Sequence, residues 1–146
     1  MGIFGDLDIA SASDNPWLVP ANTYEATVYT AEVKRDKNEI LGMEIIYKIS
    51  NGEHEGKTVR EWKIIPEPQD PKNMTPDEKK ATSYLKMRLR SFGIPESRMN
   101  SMNINDILGL EVIVKVTVNG EYTNVSRVDL AGDAKVETPE FTPFGG

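Results

Sequence analysis

The chain has 146 residues, 38% hydrophobic and 27% charged, which suits one domain with a modest core. It has no cysteine, which excludes disulfides and thiolate metal sites and fits a reducing cytoplasm better than secretion. The net charge of −6 excludes nucleic-acid binding by bulk charge, but it is unevenly spread: residues 1–20 carry −3, residues 131–146 carry −2, and the middle holds 16 basic against 17 acidic side chains. A nearly neutral domain can still present a basic groove.

Residues 1–20 read as a flexible N-terminal arm whose one apolar cluster, Trp17-Leu18-Val19, docks on the domain through Trp17. Its opening Met1-Gly2-Ile3-Phe4-Gly5-Asp6 has neither the basic start nor the apolar run of a signal peptide. No stretch of the chain approaches the roughly 20 apolar residues that span a bilayer, so a cytoplasmic location is expected.

Residues 21–130 carry the domain. Tyr24 to Lys34, rich in Thr, Val and Tyr without Gly or Pro, predicts a long first strand. The turn Arg35-Asp36-Lys37-Asn38 leads to a second strand, Ile40 to Ser50. There Leu41, Met43, Ile45, Tyr47 and Ile49 recur with the period of two of a half-buried strand. After the turn Asn51 to Gly56, Thr58 to Ile65 predicts a third. Thr75-Pro76-Asp77-Glu78 then combines an N-cap, a proline at the first helical position and a capping-box Glu. Ala81, Tyr84, Leu85, Leu89 and Phe92 follow at helical spacing as one apolar face. Gly93 and Pro95 end the helix. A loop with one helical turn (Ile104 to Leu108) precedes a fourth strand, Glu111 to Val118. Asn119-Gly120 makes a two-residue hairpin turn into a fifth, Glu121 to Leu130. Three strands, a helix and two strands is the order of the OB-fold, so a mainly β, five-stranded barrel with one helix between strands three and four is expected, although small α+β sandwiches can share this order.

Catalysis finds little support. The one histidine, His54, lies in a polar turn between Glu53 and Glu55, without the further ligands a metal would need. The carboxylates are scattered, the serines lack an activating base, and no Walker-type phosphate loop is present. No cofactor and no metal are expected. The strands offer more. Thr58, Arg60, Trp62 and Ile64 share one face of the third strand, placing a cation beside a stacking plate, the pairing that single-stranded nucleic acid uses. Tyr29, Lys48, Tyr122 and Arg127 would extend that surface, with Lys57 at the start of the third strand and Lys34, Arg35 and Lys37 around the first turn. The competing expectation is that rings such as Trp62 and Tyr47 fill the core. Tyr47, which shares a face with Met43 and Ile45, is the stronger core candidate.

The run Tyr24 to Ile65 with its Asn51-Gly52-Glu53-His54-Glu55-Gly56-Lys57 turn resembles a family of small bacteriophage proteins long catalogued as of unknown function. So do Tyr84-Leu85, Phe92-Gly93-Ile94, Asp106-Ile107-Leu108-Gly109-Leu110-Glu111-Val112 and Tyr122-Thr123-Asn124-Val125. The resemblance covers roughly residues 20–130. Several members are thought to bind single-stranded DNA. It implies an OB-fold, sequence-independent binding in phage replication or recombination, and the host cytoplasm as compartment. The acidic residues 131–146 close on Phe141-Thr142-Pro143-Phe144-Gly145-Gly146. Single-stranded DNA-binding proteins often end on Pro-Phe, which docks replication and repair enzymes. Here two glycines follow Phe144, so a pocket reading a terminal carboxylate beside Phe would find it displaced. Phe141, Pro143 and Phe144 are therefore expected to dock another partner or to cover the DNA groove. The alternative is a phage structural or interaction adaptor without nucleic-acid binding. A DNA binder should gather its basic residues across strands one to three, whereas an adaptor should scatter them and expose an apolar patch. Oligomeric state is left open; exposed strand edges would allow homo-oligomers.

Overall fold

The computed structural model describes residues 19–120 and 122–131. The docking expected of Trp17, the rest of the N-terminal arm up to residue 18 and residues 132–146 of the C-terminal tail lie outside them; Val19, the last residue of the arm's apolar cluster, is fully buried in the core. Five strands, β1 (Asn22–Arg35), β2 (Leu41–Ile49), β3 (Thr58–Ile64), β4 (Glu111–Asn119) and β5 (Tyr122–Leu130), form one antiparallel sheet in the order β3-β2-β1-β4-β5. Between β3 and β4 lie α1 (Pro76–Ser91), a short α2 (Glu96–Met99) and one turn of 3-10 helix (Ile104–Ile107). The mainly β class, the five strands and the long helix match the sequence expectation. The four-residue α2 was not anticipated.

The length of β1 organises the sheet. Its start, Asn22 to Thr27, pairs with β4, while Ala26 to Arg35 pairs with β2. The register skips Tyr29 between Val28↔Tyr47 and Thr30↔Ile46, leaving Tyr29 as an extra residue that bends the strand. A second irregularity lies opposite Lys115 and Val116, where Ser126 is skipped on β5. The two strands ending the ladder order, β3 and β5, lie near one another, and α1 contacts both. The pairing among the described residues is that of an open sheet.

One face of the sheet is the core. Val28, Ile45, Tyr47, Ile49, Val59, Val112, Val114, Val116 and Val128 are almost fully buried, joined by Leu89 of α1, by Phe92 at its C-cap and by Ile107. Each fully buried aliphatic side chain contributes on the order of 1.5–3 kcal/mol. Alternation along β4, and along β2 from Met43 onward, puts the opposite residues outward.

The start of α1 carries the capping box read from sequence: Thr75 Oγ1 accepts from the Glu78 N–H at 3.2 Å, and Glu78 Oε1 accepts from the Thr75 N–H at 2.8 Å. Its apolar face differs from expectation. Tyr84 is exposed rather than buried, and Arg88 is buried instead. The cause is long-range. Arg88 Nε donates to Glu61 Oε2 on β3 at 2.9 Å, and Tyr47 Oη donates to Glu61 Oε1 at 2.7 Å. Lys63 Nζ adds a contact of 3.6 Å to the same carboxylate. A buried carboxylate must be paired and hydrogen-bonded, and Arg88 reaches inward to satisfy Glu61, while Tyr84, one turn earlier on the same side of α1, stands 5.9 Å from the Nζ atoms of Lys63 and Lys80. Burial and the adjacent Glu61 charge push the Tyr47 hydroxyl pKa upward, so it serves only as a neutral donor.

Candidate functional site

The outward face of β1, β2 and β3 can be laid out from the register. Four rows run across the strands: Lys34–Gly42–Ile64, Glu32–Glu44–Trp62, Thr30–Ile46–Arg60 and Thr27–Lys48–Thr58. Trp62 and Arg60 therefore share the face opposite the core, as the period of β3 predicts, while Tyr47 is a core residue.

Trp62 is half-buried because it lies down on the sheet. A Cβ placed on Gly42 would fall 2.2 Å from Trp62 Cζ2 and 2.4 Å from Cε2, so the indole occupies the space directly over the glycine backbone. Glycine inside a strand marks a close approach of this kind. The Arg60 guanidinium carbon stands 5.5 Å from the Trp62 ring centroid, within cation–π range.

A second cation–aromatic pair lies two rows away. Lys48 Nζ stands 5.0 Å from the Tyr29 ring centroid. Tyr29 follows inward-pointing Val28 and so reaches outward, 57% exposed, and the bulge keeps the next residue, Thr30, on the same face. Beside it, Thr27, Lys48, Ser50 and Glu55 line an open depression of about 440 Å³. Two rows correspond to about 13 Å along the strands, so the two rings are separate platforms on one face.

Glu44, opposite Trp62 in the same row, tempers the charge. It accepts a short hydrogen bond from Arg60 Nε and pairs with Lys34 Nζ at 3.0 Å. The Arg60 hydrogen bond, assisted by Lys34, holds its carboxyl below the usual carboxylate range. The face thus carries Lys34, Lys48 and Arg60 against Glu32 and Glu44, a weak positive excess rather than a basic patch.

The remaining sequence candidates fall elsewhere. Arg35 pairs opposite Leu41 and binds Glu67 with two hydrogen bonds of 2.7 and 2.8 Å, tying the segment after β3 to the end of β1. Lys37 is exposed in the turn beyond β1. Lys57 Nζ donates to His54 Nδ1 at 3.2 Å, and the His54 ring meets Tyr24 edge-on at 5.9 Å. Tyr122, 75% exposed, stands at the β4–β5 hairpin, and Arg127 Nε donates to Asp129 Oδ2 at 2.9 Å on β5. Phe141, Pro143 and Phe144 lie outside the described residues. The sequence reading missed Gly42, Glu44 and Tyr84. A glycine interrupting the alternation of β2 was the available signal for the first. Nothing local marked the other two.

No protein-family model matches the chain, and no curated protein matches it.

Proposed function

We propose that this chain is a non-enzymatic, sequence-independent single-stranded DNA-binding protein. The observation that carries the reading is the pair of cation–aromatic contacts, Arg60–Trp62 and Lys48–Tyr29, on one solvent-facing surface of β1–β3. Every base has a face to stack on such rings, and the adjacent cations meet the phosphates on either side. Stacking contributes on the order of 1–3 kcal/mol per base, so two platforms give moderate affinity, and tight coverage needs a longer path or several copies along a strand.

The fold suits this role as an OB-fold-type barrel, with α1 closing the end where β3 and β5 approach each other. Sheet order and element order support that assignment. The resemblance to small phage proteins supports a place in phage DNA replication or recombination. The composition of residues 131–146 supports a tail that docks proteins or covers the groove.

The test is fluorescence anisotropy of labelled oligo-dT of about 30 nucleotides with the full chain. Saturable binding that weakens with salt, with duplex DNA competing poorly, supports the reading. No binding at low salt overturns it and favours the adaptor alternative, toward which exposed Tyr84 and Met87 on α1 would then point.

A further inference from the structure

The outer sheet face does not end at Trp62. The same side chain forms one wall of a cleft of about 320 Å³ between β3 and α1, whose other members include Ile64, Lys80 and Tyr84. Lys63 and Tyr84 also line a second depression of about 480 Å³ over the β3–β5 seam, together with Met87 and Arg127. Met87, Ser91, Arg127 and Asp129 are shared in turn with a third, of about 660 Å³, bounded by Arg90 and Ile113. The three adjoin to form one groove following α1.

Two properties distinguish this groove from an apolar peptide site. Its stacking plate, Tyr84, is 48% exposed, and the Nζ atoms of Lys63 and Lys80 each stand 5.9 Å from the ring centroid. Apart from the buried Arg88, its walls carry Lys63, Lys80, Arg90 and Arg127 against Asp77 and Asp129. An aromatic plate flanked by cations repeats the arrangement at Trp62 and at Tyr29, and Trp62 belongs to both surfaces.

We propose that a single strand crossing the sheet turns over Trp62 into this groove, where Tyr84 stacks a further base and Lys80, Lys63 and Arg127 hold its phosphates. This inference rests on the single-strand reading and extends it from a sheet face to a path around the β3 edge. Placing Tyr84 here also explains why an aromatic ring sits in solvent on α1 while the same helix buries an arginine.

The full chain and its Tyr84→Ala, Tyr84→Phe, Lys80→Glu and Trp62→Ala variants are titrated with oligo-dT of increasing length, from about 6 to about 30 nucleotides, at two salt concentrations. Thermal melts establish that each is folded. Tyr84→Ala should lose about five-fold or more in affinity for the longest oligomer and little for the shortest. Tyr84→Phe should retain parent affinity, and Lys80→Glu should lower the salt slope. If Trp62→Ala weakens binding while Tyr84→Ala and Lys80→Glu bind the longest oligomer like the parent, the groove proposal is overturned and the sheet reading survives. If the parent binds no oligomer, both fall. If Tyr84→Ala binds DNA normally but fails to bind a peptide of residues 131–146 that the parent binds, the groove is a peptide site, and the proposal is overturned.

Discussion

Trp62 lies across the backbone of Gly42, with the glycine's missing Cβ direction filled by the indole. The ring is thereby held flat on the sheet as a plate, and any side chain at position 42 must lift it. Because the obstructing atoms are the far end of one side chain, the fold should tolerate the change. Gly42→Ala is expected to melt near the parent and to shift Trp62 fluorescence to longer wavelength, read in a Trp17→Phe background. Its oligo-dT affinity should fall toward that of Trp62→Ala, within the roughly 1–3 kcal/mol of one stacked base. Unchanged emission would show that the ring is not lifted, and shifted emission with unchanged affinity would show that binding does not need the plate held flat.

Glu44 pairs with Lys34 and Arg60, the cations that phosphate would have to engage under the proposed function. Glu44→Gln keeps the side-chain shape and removes the charge, so single-strand affinity should rise by about two- to five-fold, in line with the modest strength of exposed ion pairs. The dependence on salt should steepen. A fall in affinity would mean that Glu44 orients the cations more than it neutralises them.

Lys34 and Arg35 are neighbours in sequence with different tasks. Arg35 is engaged bidentately by Glu67, whereas Lys34 belongs to the outer face. Arg35→Ala should leave oligo-dT affinity within about two-fold, while Lys34→Ala reduces it and shortens the salt slope by about one phosphate contact. Equal losses in the two variants would return Arg35 to the binding surface.

The buried contact between Glu61 and Arg88, 2.7 Å from Oε2 to a terminal guanidinium nitrogen, joins β3 to α1. Removing one partner strands the other's charge, so Arg88→Met should cost about 3–5 kcal/mol in urea unfolding. The triple change Glu61→Leu, Arg88→Met, Tyr47→Phe removes the whole network and should recover most of that loss. A single-variant cost below about 1 kcal/mol would indicate that water reaches the pair.

Acid should weaken the fold. Glu44, Glu67, Glu96 and Asp70 are all held below their ordinary values, chiefly by side-chain hydrogen bonds from Arg60, Arg35, Lys86 and Asn73 respectively. Depressed folded-state values contribute stability that is complete above the unfolded carboxylate values, about pH 4, and is lost as pH falls through the folded ones. Melting temperature should therefore be flat near neutrality and decline below about pH 4.5, with a smaller decline in Glu44→Gln. A melting temperature that rises on acidification would contradict these pairings.

Local chemistry made much of the fold legible in sequence. The capping box at Thr75, the two-residue turn at Asn119-Gly120 and the period-two run of β2 each depend on residues a few positions apart. Their boundaries hold in the structure to within two residues. The site was legible only in part, since period two shows that Arg60 and Trp62 share a face without saying whether that face is covered.

By itself the sequence determined five strands, one capped helix and the pairing of residues on strand faces, because backbone propensity and side-chain alternation act over short range. Only the tertiary structure decided which rings are core and which are platforms. Tyr47 is buried because its hydroxyl meets Glu61, fourteen positions on, and Trp62 is outward because Gly42 leaves it a bed. Arg88 is inside because it answers a carboxylate 27 positions away. Charge compensation and close packing act between residues that only the folded sheet brings together, so the candidate surface became visible only with the register of β1, β2 and β3.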